Sequence, residues 1–397
     1  MGTVLENVRI IDASTVLAAP GAATLLADFG AEVIKIEQPG SGDPVRRYPP
    51  QIHGQSLGSK VTNRNKFSVT LDLRQDKGQE IFRQLVAKAD VVVVNYRLST
   101  LKNWHLDYPE LATVNPAVVM LHLTGFGRTG PYADWPGFAR VAEAFTGLTY
   151  MSGYPDRGPM FAGYAIGDGI GSVYGAFSIL LALMYRQRTG EGQLIDLALY
   201  EPIMRILDAL YVGYDQTHEI PQRVGTINPG VAPSDIYETR DHQWVVLPAS
   251  TPTMFARLCE AMGHPELVAD PRFDTNLHRI TYRAELDQYV VDYIGSLTLA
   301  EVLATCRERD IAAGPVNNVQ QVMEDVHVQS RESIVSVFDE NLGTSIRMQG
   351  VFPKLTKSPG AIRWAGHEPG QDNEAVYQGL LGLRREELAA LRVAHVI

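Results

Sequence analysis

The chain is predicted to be an α/β protein: an open, doubly wound parallel sheet, followed by a smaller, separate domain. Two patterns predict this. Up to Gly125, short apolar, β-branched runs alternate with helix-spaced segments, and strands joined through helices pair parallel. From about Pro252 to Asp325 the pattern becomes one helix after another, which marks a second core.

Taken in order, "NVRIIDA" is the first strand. "PGAATLLADFG" has helical spacing, with Pro20 near its start and Gly30 as its stop. "AEVIKIE" and "FSVTLDL" are the next strands, then come the helix "DKGQEIFRQLVAKA" and the strand "DVVVVNY". The helix "YPELATV" and the strand "AVVMLHLTG" complete the alternation. Between Pro39 and Lys66 lies a long stretch rich in Gly, Pro and Ser, read as a functional loop or an excursion over a partner. "QLIDLALYEPIMRILDALYV" reads as a strand or short helix, then a helix. "INPGVAPSD" is a turn-rich loop and "IYETRDHQWVVLPA" a hairpin around Asp241. The helices "TPTMFARLCEAMG", "RAELDQYVVDYIGSL" and "LAEVLATCRERD" follow. The chain returns to strands in "SIVSVF" and "SIRMQGVF" and ends in the helix "RREELAALRVAHVI". The expected division is 1–200 large domain, 201–225 linker helix, 226–325 small domain and 326–397 returning to the large domain.

The formal net charge is −10, which argues against nucleic acid or an anionic membrane as partner. An anionic ligand must therefore be held by local Arg, Lys and backbone N–H groups. Cys259 and Cys306 have no metal spacing and sit in helical segments; buried thiols, no metal and a reducing cytoplasm are expected. The N-terminal "MGTVLENVRIIDAS" has no basic region followed by an apolar one, so no signal peptide is expected. Glu6 stands where a myristoylation signal would carry Ser or Thr.

The most informative stretch is "FAGYAIGDGIGSVYGAF", residues 161–177. A lone acid, Asp168, sits between two glycines. The next 17 residues, Gly169 to Tyr185, carry no charge. That run is short of the roughly 20 apolar residues a bilayer span needs and is read as a buried core helix. Asp168 has two readings. It is an N-cap, or it is a carboxylate kept ionised by first-turn N–H groups in a semi-apolar pocket and used as a nucleophile on an activated acyl group. Gly169, Gly171 and Gly175 thin one side of the helix for a ligand or a close neighbour.

Three other features have their own readings. A strand–turn–helix followed by a strand ending in Glu37 has the outline of a dinucleotide site. However, "STVLAAPGA" lacks the G-x-G-x-x-G pattern, and Pro20 removes an N–H. A binding or scaffold protein has no need of a lone acid heading a glycine-rich helix. His122, in the strand before "TGFG", is read as a core or strand-end histidine.

Several blocks together resemble the class III CoA-transferases, the family of formyl-CoA transferase and carnitine CoA-transferase. They are "LLADFGAEVIKIEQPGSGDPVR", "NRNKFSVTLDL", "ADVVVVNYRLSTL", "TGFGRTGPYAD", "DPRFDTNLHR" and "GQDNEAVYQGLLGL", in the family's order. The resemblance implies a Rossmann-like large domain that includes the C-terminal end, a smaller α+β domain and an interlocked homodimer; some relatives form hetero-oligomers. It implies that Asp168 is the catalytic nucleophile. Attack on an acyl-CoA would give a mixed anhydride and then an aspartyl-CoA thioester, with no metal and no tightly bound cofactor. Coenzyme A thioester is then the substrate, held by Val16, Ala18, Leu73, Arg74, Asn95, Tyr96, Arg97, Thr100, Lys102 and Asn103. Substrate-binding positions are Leu17 (where formyl-CoA transferase carries Gln), Gly167, Gly169 and Gly230 as oxyanion donors or lid, and Arg140.

Within the superfamily, α-methylacyl-CoA racemases pair the acid with an upstream His, and Phe138 replaces that His here. Phe cannot shuttle a proton, so racemisation by that pair is disfavoured and stands only as the alternative reading. "GFARVAEAFTGLTYMSG" and "LYEPIMRILD" resemble the subgroup acting on succinyl-CoA and small dicarboxylic acids such as citramalate, malate or mesaconate. Arg140 is then either the anchor of a second substrate carboxylate or a structural partner of Glu143 or Glu201. Aromatic acceptors such as benzylsuccinate or phenyllactate stay open.

Overall fold

The computed structural model describes residues 2–397. Six strands form one sheet: β1 (Arg9–Asp12), β2 (Glu32–Glu37), β3 (Lys66–Thr70), β4 (Val91–Val94), β5 (Val119–Thr124) and β6 (Leu194–Ala198). Their order is β3–β2–β1–β4–β5–β6, and every pair is parallel. Strand residues point alternately to opposite faces, which gives two cores. Ile10, Val33, Val91, Val93 and Leu121 join the helices Ala18–Asp28 and Ile166–Thr189 on one face. Ile11, Ile34, Val92, Val94 and Met120 join the helix Asp76–Val86 on the other. The C-terminal helices Asn373–Leu381 and Arg385–Val393 lie on that second face through Val376, Tyr377, Leu388 and Leu391. There Tyr377 donates its hydroxyl to the Thr70 carbonyl at 2.8 Å.

The order reverses between β1 and β4, so the loops after these two strands diverge and leave a crevice. This is the place where open α/β sheets bind ligands, beyond the carboxyl ends of the strands. Thr15, just past β1, and Asn95, just past β4, meet there in a reciprocal pair of hydrogen bonds (2.9 and 2.8 Å).

Some local expectations change. The stretch from Pro39 to Lys66 is structured: it holds a 3₁₀ turn (Pro44–Arg47), a two-residue hairpin (Gln51–Ile52 with Gln55–Ser56) and the helix Leu57–Thr62. A short helix, Leu98–Asn103, follows β4 unannounced by periodicity. The helix Ile166–Thr189 is long and apolar enough to cross a bilayer, and only one face of it is buried. Gly171, Gly175, Ala176, Ile179, Ala182 and Leu183 face the core, while Val173, Phe177, Leu181 and Met184 are exposed. Close approach explains two of its glycines. A Cβ on Gly175 would lie 2.9 Å from Ala22 Cβ, and one on Gly171 would lie 2.6 Å from Leu199 Cδ1.

The chain divides into two compact units. The first takes residues up to Thr149, Ala162–Glu219 and His327–Ile397; the second takes Tyr150–Phe161 and Ile220–Val326. The second unit has its own antiparallel sheet, Gly314–Pro315, Trp244–Leu247 and Asp235–Glu238 in that order. The helices Pro252–Met262, Arg283–Gly295 and Leu299–Glu308 pack on it through Leu258, Val290 and Val302. Cys259 and Cys306 are both buried and unpaired, and burial pushes the Cys259 thiol up to about 12.

Candidate active site

Asp168 is the third residue of the helix Ile166–Thr189, whose N-cap is Ala165 with no side-chain cap bond. The N-cap reading of Asp168 is therefore not realised. The residue that serves the helix start comes from elsewhere. Glu143, buried on the helix Ala139–Phe145, accepts the Gly167 N–H on Oε1 at 3.0 Å. Its other oxygen takes the Arg140 guanidinium at 2.9 Å, and Arg140 also donates to the Ala162 carbonyl at 2.9 Å. Of the two partners expected for Arg140, Glu143 is the one found; Glu201 instead accepts the Ala198 N–H.

This surrounding acts on the Asp168 carboxyl. Burial is the largest influence and the Glu143 charge adds to it; Arg140 opposes both, and the net effect pushes Asp168 up to about 6. An acid so placed is ionised at neutral pH yet poorly solvated, the condition that favours nucleophilic attack. For a reaction that needs the ionised form, kcat/KM is expected to rise with pH through about 6 and level off above it. Glu143→Gln removes the like charge, so the midpoint should move down toward the ordinary carboxylate range. A pH profile of kcat/KM with an unmoved midpoint would exclude Glu143 as a source of the shift.

Asp168 lines two cavities, both within the first unit. One, of about 260 Å³, lies over the crevice and is walled by Thr15 to Ala18, Asn95, Arg97, Gly125, Gly137 and Phe138. The other, of about 300 Å³, is mostly apolar and is walled by Leu17, Leu25, Val61, Tyr164, Gly169 and Val173. The crevice cavity also receives the start of the helix Ala18–Asp28, which has no side-chain cap. Among the described residues the Leu17 and Ala18 N–H groups meet no acceptor, so they are orphan donors beside the carboxylate.

The expected site residues separate into two groups. Val16, Leu17, Ala18, Asn95 and Arg97 line the crevice cavity with Asp168, and Gly169 lines its apolar neighbour. Leu73, Arg74, Tyr96, Thr100, Lys102, Asn103 and Arg140 line neither. Leu73 is core, and Arg74 is forked onto Asp72 (two contacts of 2.8 Å). Tyr96 stands edge-on to Trp104 with ring centres 5.0 Å apart. Thr100, Lys102 and Asn103 follow Arg97 on the short helix Leu98–Asn103. The Gly167 N–H is already engaged by Glu143 and that of Gly169 by the Ala165 carbonyl, so the helix start offers less than the sequence suggested. Gly230 belongs to the second unit, where its N–H is held by Asn228 Oδ1 and its carbonyl by Asn276 (both 3.0 Å).

The other readings are answered by contacts. Glu37 is occupied: Arg46 holds it through Nε (2.6 Å) and Nη2 (2.5 Å), and the Ser68 hydroxyl donates to it. Fully buried His122 bonds the Tyr96 carbonyl through Nε2 (2.7 Å) and Arg128 through Nδ1 (2.7 Å). Arg128 can only donate, so Nε2 carries the ring proton, and burial holds the imidazole below its usual range. Phe138, standing where a racemase would carry its second base, lines the crevice cavity with Asp168.

Residues 5–373 match the model of CoA-transferase family III. The chain belongs to this family. The CoA-transferase is 41% identical over 394 residues to the succinyl-CoA–D-citramalate CoA-transferase of Chloroflexus aurantiacus, covering 99% of this chain and 98% of that one. It is 40% identical over 396 residues to the β subunit of the succinyl-CoA–L-malate CoA-transferase of the same organism, with the same coverage. Among solved structures, a CAIB/BAIF family protein from Brucella suis superposes with a TM-score of 0.85 at 30% identity, over 96% of this chain and all of that one. Three elements of the candidate site carry no family-independent sequence signal: Glu143 as the support of Gly167, Asn95 as the clamp on Thr15, and the second cavity. Each depends on a contact between distant segments.

Proposed function

We propose that this CoA-transferase moves CoA from succinyl-CoA to a small dicarboxylic acid through covalent intermediates on Asp168. The observation that carries the reading is the half-buried, unbonded Asp168 carboxylate at the junction of two cavities, next to orphan N–H donors. The carboxylate attacks the acyl-CoA carbonyl, forming a mixed anhydride and releasing CoA thiolate. The thiolate attacks the aspartyl carbonyl, forming aspartyl-CoA thioester and releasing succinate. The acceptor carboxylate displaces the thiolate from that thioester, and the thiolate then takes the acceptor's acyl group, which restores Asp168. Each step exchanges one activated acyl bond for another, so no ATP is consumed.

The crevice cavity suits the CoA arm, and the Leu17 and Ala18 N–H groups suit developing oxyanions. The remaining CoA contacts proposed are Leu73, Arg74, Asn95, Tyr96, Arg97, Thr100, Lys102 and Asn103, grouped after the carboxyl ends of β3 and β4. We read the large unit as Rossmann-like, from its strand order. The active form is proposed to be an interlocked dimer in the cytoplasm, with Gly230 on a lid. The exposed apolar stripe on the nucleophile helix supports a partner chain.

Dicarboxylate specificity is supported by the two Chloroflexus aurantiacus relatives, whose names specify citramalate and malate. Arg140 acts on the Asp168 carboxyl electrostatically and is the proposed anchor for the second acceptor carboxylate. An acceptor series with succinyl-CoA as donor tests this. Four- and five-carbon dicarboxylates should outpace monocarboxylates of equal length by about 10²-fold, and Arg140→Ala should cut that ratio by about tenfold. Unchanged discrimination in the variant would remove Arg140 as the anchor.

A further inference from the structure

The loop after β1 carries a conformation that its sequence disfavours. Val16 has φ +71°, in the left-handed region where a β-branched residue is an outlier. Its neighbours Leu17 and Ala18 supply the orphan N–H groups beside Asp168. Something must hold this turn, and the contacts show what. The Val16 N–H points at the Asp43 carboxylate, 3.1 Å from Oδ1 and 3.2 Å from Oδ2. Asp43 is 2% exposed. It also accepts the Val45 N–H at 3.0 Å, and the fully buried Lys35 ammonium holds it at 3.0 Å.

Lys35 in turn donates to the Ser14 carbonyl, so one ammonium ties Asp43 to the chain just before the turn. It also lies 3.9 Å from Asp12. Asp12 is held by Lys66 at 2.8 Å, and Lys66 donates to the Pro20 carbonyl, inside the helix that the turn begins. The Asp43 N–H is fixed by Glu37 at 2.9 Å. Asn95 secures Thr15 from the other side. The turn is thus gripped before, at and after Val16 by buried charged groups that are outside the chemistry.

We propose that Asp43 is a positioning residue that holds the Val16 peptide in its left-handed conformation, so that the Leu17–Ala18 segment faces Asp168. The role rests on Asp168 being the nucleophile of the proposed transfer. Asp43 touches no substrate in this scheme; it sets where the backbone donors stand when charge develops on the reacting carbonyl. Its loss should therefore weaken the reacting state more than ground-state binding of acyl-CoA.

The test is a double-mutant cycle with Val16→Gly, since glycine adopts φ +71° without the steric penalty. Asp43→Ala should lower kcat by about tenfold or more while KM for acyl-CoA moves less than about threefold. In the Val16→Gly background the same substitution should cost less than about threefold in kcat, because the strain that Asp43 offsets is gone. Where Asp43→Ala does not fold, as judged by its melting transition, Asp43→Asn carries the same cycle. Equal losses in the two backgrounds, no loss in kcat, or a loss confined to KM would each overturn the proposal. Asp168→Ala separates this from the reading beneath it. If that variant still turns over, the proposed mechanism has failed; if it is dead and the cycle shows no coupling, only the role of Asp43 has failed.

Discussion

Asp168→Ala is expected to lower kcat by about 10⁴-fold or more while leaving the fold intact, because the proposed covalent mechanism has no substitute for its nucleophile. The fold should survive, since Asp168 makes no cap bond to its helix and the helix start is served by Glu143. Removing the side chain also relieves a cost. The folded-state pKa of about 6 lies above the ordinary aspartate value of 3.8, so the native state prefers the protonated acid. That preference stabilises the fold fully below the unfolded pKa and is lost as pH rises through about 6. At pH 8 the wild type therefore carries an ionised, poorly solvated group, and the variant should be the more stable protein, on the order of 2 kcal/mol. Thermal melts at pH 8 beside steady-state rates check both parts. A variant that melts well below the wild type would show that Asp168 has a structural duty as well.

Gly125→Ala carries the second large effect. Gly125 follows β5 and packs against Gly137 in the wall of the crevice cavity, which both residues line with Asp168. A Cβ on Gly125 would lie 2.6 Å from Gly137 Cα and 3.1 Å from Gly137 N. These are backbone atoms, so no rotamer change relieves the clash. The segment carrying Phe138 and the helix Ala139–Phe145 must move, and with it Arg140 and Glu143, which set the Asp168 environment. A shift of this kind should lower kcat/KM by about 10²-fold, with a lowered melting temperature. Gly137→Ala meets Gly125 Cα at 2.8 Å and should behave similarly. Wild-type kcat/KM in Gly125→Ala would mean that this part of the cavity wall plays no part in turnover.

The parallel sheet was legible because its strands are short β-branched runs separated by amphipathic helices, a pattern that local chemistry writes into the chain. Asp168 was legible for a similar reason: a lone charge before a long uncharged run stands out. The crevice was harder to read. Val16, Leu17 and Ala18 look like an ordinary turn, and only the backbone angle of Val16 reveals that the turn is held under constraint. Asn95 is 80 positions from Thr15, and Asp43 is 27 positions from Val16; no spacing rule links them, since their meeting depends on how β1, β2 and β4 are ordered in the sheet. Arg140 shows the opposite limit. Its charge and place were visible in the sequence, and so was Glu143, but which acid it would choose required the helix geometry. The apolar run after Asp168 reads as a buried core helix, although one face of that helix is exposed. Composition reports that a segment is apolar, and it does not report how many of its faces one chain can cover.

The most direct measurement is chemical trapping on the wild-type enzyme. Incubation with succinyl-CoA, followed by hydroxylamine or borohydride and peptide mass spectrometry, is expected to place one modification on Asp168 and none in the Asp168→Ala variant. An unmodified Asp168 during steady turnover, or a trapped acyl group on another residue, would contradict the covalent role assigned to this carboxylate.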